Sequence, residues 1–76
     1  RKEYTKEVNT YAEDAKIVVR NRRRDLMDEV KKSEKAGDIT EDDKFSLEDE
    51  IQKITDEFIK SIDDIADKKN EELMNV

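Results

Sequence analysis

The chain contains no cysteine, no histidine and no proline, and only one glycine, Gly37. Without cysteine there is no disulfide framework and no thiolate metal site. Without histidine the usual general base and the commonest metal ligand are both missing. The longest apolar run, Ile17-Val18-Val19, is far too short for a membrane span or a signal peptide. Membrane insertion, a cofactor and a metal are therefore not expected. With no proline and a lone glycine, almost nothing interrupts regular structure. The chain opens on Arg1 rather than Met, which reads as a soluble fragment or processed segment compatible with the cytosol.

What remains is charge. Of 76 residues, 50% are charged and 33% hydrophobic, a balance that suits a long solvated helical structure better than a globule with a large core. The net charge of −6 is unevenly spread. Residues 1–35 carry 11 Lys/Arg against 8 Asp/Glu, whereas residues 36–76 carry 5 against 14. All five arginines lie in the first half, so overall acidity does not exclude an anionic partner.

Two helices account for the hydrophobic pattern. Tyr4, Val8, Tyr11, Ala15 and Val18 step by fours and threes, and Ala12, Val19, Leu26 and Val30 widen the same stripe. Gly37 suits the left-handed position that ends a helix, and Lys31, Lys32 and Lys35 favour the negative end of its dipole. Thr40 is a good N-cap, with Asp43 three residues on as its capping-box partner. Leu47, Ile51, Ile54, Phe58, Ile62 and Ile65 then form a second stripe, extended by Leu73. The pattern predicts an all-α antiparallel hairpin forming part of one helical domain over 1–76. Its helices span about 2–36 and 40–75, each about 50 Å long, joined by a turn at 37–39. The stripes are wider than one seam requires. A third helix, from outside this chain or from another copy, is expected to complete the bundle. Self-association of two copies into a four-helix bundle is the second way to cover them.

The sharpest local feature is the run from Arg20 to Arg24. Arg24 has Asp28 four residues on and Arg22 has Asp25 three on, the spacing of helical ion pairs. Arg20 and Arg23 have no acid at three or four residues in either direction, and Arg1 faces only Tyr4 and Thr5. Like charges side by side cost local stability, and arginine suits phosphate because its planar fork stays charged and binds in two-pronged fashion. The set could track a nucleic-acid backbone, dock an acidic protein or simply form a solvated basic face. Arg22 falls inside the apolar stripe, where a snorkelling side chain is preferred over a buried pair with an acid of the second helix.

Other candidates carry less. Asp42, Asp43, Glu48, Asp49 and Glu50 lack the spacing and glycine turn of a calcium loop and read as helix capping and solvation. Asp63 and Asp64 point to different sides of a helix and form no acid–base dyad. Phe45 lies off the stripe and is expected to clamp the turn against Ile39. Tyr4 and Tyr11 fit core or edge packing. No catalytic constellation is present, so an enzyme is not expected.

Four blocks carry a family resemblance. The stretch AEDAKIVVRNRRRD (12–25) resembles the A-E-x-A-R-x-A-x-R-N-x-R-R-D helix of ribosome recycling factors. The turn GDITED (37–42) is similar to that family's helix connection, and IQKITDEFIK (51–60) to its V-Q-K-L-T-D-x-x-I-K stretch. The last eight residues are similar to its K-E-x-E-L-M-x-V terminus. The resemblance covers essentially the whole chain. It implies an L-shaped protein in which a small β-rich domain is inserted after the first helix of a long three-helix bundle. This chain would supply the second and third helices, leaving the first helix and the β domain outside it.

The resemblance also implies partners and site residues. Such factors act on the ribosome after termination and, with elongation factor G and its GTP hydrolysis, separate the subunits. The bundle contacts large-subunit ribosomal RNA through arginines of its second helix, which correspond here to Arg1, Arg20 and Arg23, then Asn21 and Arg24. This sequence departs from the family at Arg22, where Val or Ile is usual, and at Phe45, where a basic residue is usual. The alternative function is a helical coiled-coil protein-interaction module without RNA binding.

Overall fold

The computed structural model describes residues 2–75, with Lys2 described for its backbone alone. It is two antiparallel helices, α1 (Lys2–Lys35) and α2 (Glu41–Met74), each of 34 residues. The hairpin measures 57 × 15 × 9 Å, one helix thick. Among the described residues there is no strand, and no helix is long and apolar enough to cross a membrane.

The turn forms as its residues dictate. Gly37 takes φ +79°, a left-handed conformation that costs a side chain-bearing residue energy. That conformation lets Gly37 N donate to Glu34 O (3.0 Å) and Asp38 N to Ser33 O (2.9 Å), the paired bonds that close a helix C-terminus. The chain re-enters helix at Thr40. Its Oγ1 accepts from Asp43 N at 3.0 Å, while Asp43 Oδ2 accepts from Thr40 N at 3.2 Å. The expected capping box is complete, with Glu41, Asp42 and Asp43 in the first turn.

The helices meet along a seam rotated away from the centre of each apolar stripe. Half-buried Val8, Ala12, Val19 and Val30 face half-buried Ile51, Ile59, Ile62 and Leu73, together with buried Ala66 (8% exposed) and Thr55 (6%). Thr55 satisfies its hydroxyl within α2 by donating to Ile51 O at 2.7 Å. Small side chains at the closest approach let the backbones come together. The larger members of the stripes stay outside: Tyr4, Tyr11, Val18 and Leu26 on α1, and Leu47, Ile54, Phe58 and Ile65 on α2, are all exposed. At 100° per residue, the centre of this exposed set lies about 80° from the seam on each helix. Because the helices run in opposite directions, the same sense of rotation brings both sets to one side of the hairpin. Two grooves follow from that arrangement. One, of about 310 Å³, is lined by Val18, Val19 and Leu26 with Ile51, Ile54 and Phe58. The other, of about 300 Å³, is lined by Val8, Tyr11 and Ala15 with Ile62, Ile65 and Ala66.

Polar pairs line the opposite edge of the seam and set its register. Asn70 Nδ2 donates to Asn9 Oδ1 at 2.8 Å, and Lys16 Nζ donates to Asp63 Oδ1 at 2.8 Å, so seven residues along α1 match seven back along α2. Lys44 lies 3.7 Å from Glu34 at the turn end. The two-helix reading of the sequence therefore stands, and the stripes do more than form the seam. Their edges hold the hairpin together, and their centres form an open apolar face.

Candidate nucleic-acid interface

The arginine run sits in the middle of α1, where helix geometry alone spreads it around the axis. Arg22 points to the open apolar face and lines its groove with Val18, Val19, Leu26 and Phe58 while remaining exposed. It makes no ion pair with an acid of α2, consistent with a long side chain that lays its stem on apolar surface. Arg20, Asn21 and Arg24 are exposed. Arg23 is half-buried at the seam, where it also borders that groove, and lies about 60° around the helix from Arg20. Arg1 lies outside the described residues.

Partners sort the four described arginines further. The Nε of Arg24 lies 3.7 Å from Asp25 Oδ1, between two side chains that are more than half exposed, so this neighbour replaces Asp28 as its acid. Such an open pair holds its charge weakly. Arg20 and Arg22 make no hydrogen bond or ion pair with any described residue. Arg23 Nε donates to Gln52 Oε1 of α2 at 2.8 Å, and Gln52 Nε2 donates in turn to Asp56 Oδ1 at 2.9 Å. Arg23 thus has a partner that the local spacing did not reveal, but a neutral one. Its charge stays uncompensated by direct contact.

One turn earlier, Lys16 is handled in the opposite way. Its ammonium bridges Asp63 at 2.8 Å and Glu13 at 2.9 Å, and the hydrogen bond it donates to Asp63, then that to Glu13, raises its pKa above the ordinary 10.5. Two acids absorb the charge of Lys16, whereas none absorbs that of Arg20 or Arg23. The polar edge therefore presents a local positive site at Arg20 and Arg23 on a molecule that is acidic as a whole.

The remaining candidates resolve simply. Phe45 is half exposed, and Lys44 Nζ stands 4.8 Å from the centre of its ring, a cation–π contact beside the turn. Tyr4 and Tyr11 belong to the open apolar face, with Tyr11 72% exposed. Among the described residues no three acidic side chains converge to hold a metal ion. Gln52 is the residue that sequence reading passed over. It sits among apolar residues of α2 without a charge, and only the pairing register brings it opposite Arg23.

The chain is similar to proteins of one family. The family model described as ribosome recycling factor matches residues 1–74. The chain is 56% identical over 73 residues to a ribosome-recycling factor of Lactobacillus helveticus, covering 96% of this chain and 40% of that protein. It is 54% identical over 76 residues to the ribosome-recycling factor of Enterococcus faecalis, covering 100% of this chain and 41% of that protein. A Lactococcus lactis relative of the same name is 53% identical over 76 residues, with the same coverage. The chain thus spans about two fifths of the length of the curated relatives it matches.

Proposed function

We propose, from the premise that the chain belongs to the ribosome recycling factor family, that it is the ribosome-binding helical segment of a translation factor. Its partner on this reading is ribosomal RNA of the large subunit, engaged through Arg20 and Arg23, with Arg1, Asn21 and Arg24 at the margins. The complete factor would act with elongation factor G to take apart post-termination ribosomes, and its place of work would be the cytoplasm. The chain would contribute binding and shape rather than chemistry, since no nucleophile, base and orienting group come together among the described residues.

One observation supports this reading above the rest. Arg20 and Arg23 stand three residues apart on the polar edge, and neither is neutralised by an acid, although acids satisfy Lys16 one turn away. Phosphate is the ligand that such guanidinium groups fit, because it supplies the missing negative charge and accepts two parallel bonds. The open apolar face, on the other side of the hairpin, favours a separate role. It is where a further helix of the family's bundle would lie, supplied by the part of the relatives' length that this chain does not span.

The test is binding of the full-length protein to large ribosomal subunits by sedimentation across a salt series. Arg23→Ala should weaken binding and flatten the dependence of log affinity on log salt by about one unit. Unchanged affinity and slope would overturn the RNA reading. A protein-interaction module would behave differently, losing its partner on Ile54→Asp and responding little to salt or to the arginines.

A further inference from the structure

The geometry points to Gln52 as the positioning residue of Arg23: we propose that it holds the guanidinium for a phosphate by a hydrogen bond that leaves the positive charge intact. The inference rests on the reading of Arg23 as a phosphate ligand. It adds a residue of the other helix to that site.

Three features carry it. First, the orientation of the Gln52 amide is determined by its neighbours. Arg23 can only donate, and ionised Asp56 can only accept, so Oε1 must face Arg23 Nε (2.8 Å) and Nε2 must face Asp56 Oδ1 (2.9 Å). Second, the bond uses the inner Nε of the guanidinium. Both terminal Nη groups donate to no described residue and remain available as the two-pronged edge that a phosphate accepts. Third, the holder is neutral. A carboxylate in its place would grip Arg23 more strongly and would also cancel the charge that recognises phosphate, as Asp63 and Glu13 do for Lys16. Asp56 acts at one remove, orienting the amide without touching the guanidinium.

Restricting a long arginine side chain before binding reduces the rotamer entropy lost when the anion arrives. Arg20, which has no such holder, must lose that freedom on binding. The pair is therefore unequal, and Arg23 should contribute more affinity than Arg20 although both carry the same charge.

The experiment uses the full-length protein with Gln52→Met, Gln52→Glu, Arg23→Ala and Arg23→Lys, with circular dichroism melts to establish folding. Two readings are taken: the NMR signal of the Arg23 Nε–H, and affinity for large ribosomal subunits across a salt series. Gln52→Met keeps the side-chain volume but not the acceptor. It should abolish the protected Nε–H signal and lower affinity about two- to tenfold, with the salt slope unchanged because the charge remains. Gln52→Glu should retain the protected signal yet bind as weakly as Arg23→Ala, with a slope flattened by about one unit. Arg23→Lys should keep the slope and lose affinity. Wild-type affinity in both Gln52 variants, alongside weakened Arg23→Ala, would overturn the role of Gln52 and leave the RNA reading standing. Wild-type affinity in Arg23→Ala would overturn both, and the Nε–H signal would then report a hydrogen bond with no part in binding.

Discussion

Lys16 on α1 and Asp63 on α2, 47 residues apart in sequence, meet at 2.8 Å across the seam. The lysine side chain is 15% exposed, and Glu13 completes its shell at 2.9 Å. This contact ties register, charge and fold together. It aligns the two helices, and it pairs the charge of Lys16 with acids, unlike the charges of Arg20 and Arg23.

The pair gives the hairpin a pH dependence with a definite sign. Folding raises the Lys16 pKa above 10.5, chiefly through the hydrogen bond that Lys16 donates to Asp63. The stabilisation is therefore fully present below pH 10.5 and is lost as pH rises through the raised value. Asp63→Asn should lower the melting temperature at pH 7, and the gap from the wild type should narrow in strongly alkaline buffer. A gap that stays constant from pH 7 to 12 would count against the bond.

The turn makes two separable contributions. Thr40→Ala removes the acceptor for Asp43 N and should cost about 1 kcal/mol in chemical denaturation. At Gly37 a Cβ would meet nothing within 4 Å, so the cost of Gly37→Ala is conformational strain at φ +79°, about 1–2 kcal/mol. Gly37→Asn should cost less, since asparagine tolerates the left-handed region.

Neighbours in sequence should give opposite outcomes on α2. Ala66 is buried in the seam, and Ala66→Leu should overpack it at a cost of about 1–3 kcal/mol in any setting. Ile65 is 69% exposed in the hairpin, so Ile65→Ala should change the stability of this chain alone by no more than about 0.5 kcal/mol. If a further helix covers the open face in a longer protein, as proposed, the same change should cost about 2–4 kcal/mol there. Equal and small effects in both settings would mean that nothing covers that face. Sedimentation of the chain alone at rising concentration would show whether a second copy does.

Arg22 separates the two faces experimentally. It lines the apolar groove with Val18, Leu26 and Phe58 and makes no ion pair with any described residue. Arg22→Val should raise the stability of the full-length protein by about 1 kcal/mol through added apolar burial. Affinity for large ribosomal subunits should be unchanged on the RNA reading, because Arg22 lies about 100° around the helix from Arg23 and about 160° from Arg20, although Arg23 borders the same groove. A loss of affinity comparable to that of Arg23→Ala would put Arg22 in the RNA site.

Most of the backbone was legible in the sequence because its determinants are local. A helix end needs only a residue that tolerates positive φ, here Gly37. A helix start needs only an acceptor and a reciprocal acid, here Thr40 and Asp43. Steps of three and four place Leu47, Ile51, Ile54 and Phe58 on one side of α2 whatever surrounds it. The lack of an acid at Arg20 and Arg23 was equally readable, since helical neighbours follow from spacing alone. The Asp25 pair expected for Arg22 is not formed, and Asp25 stands by Arg24 instead, because side-chain torsions choose among several nearby groups.

What the tertiary structure decided was rotation and pairing. A broad apolar stripe specifies that a helix is covered, but not which edge faces which neighbour. Close approach selected the edge bearing Ala12, Thr55 and Ala66, and it left Ile54, Phe58 and Ile65 on the open face. That rotation carried Arg23 to the seam and brought Gln52 within hydrogen-bond reach, a meeting that depends on the register between two helices. Sequence alone determined the two helices, the turn between them and the lack of an acid at Arg20 and Arg23, because backbone hydrogen bonds and helical spacing are short-range. Only packing determined which of those arginines is held in place, because contacts between distant residues exist once the helices have docked.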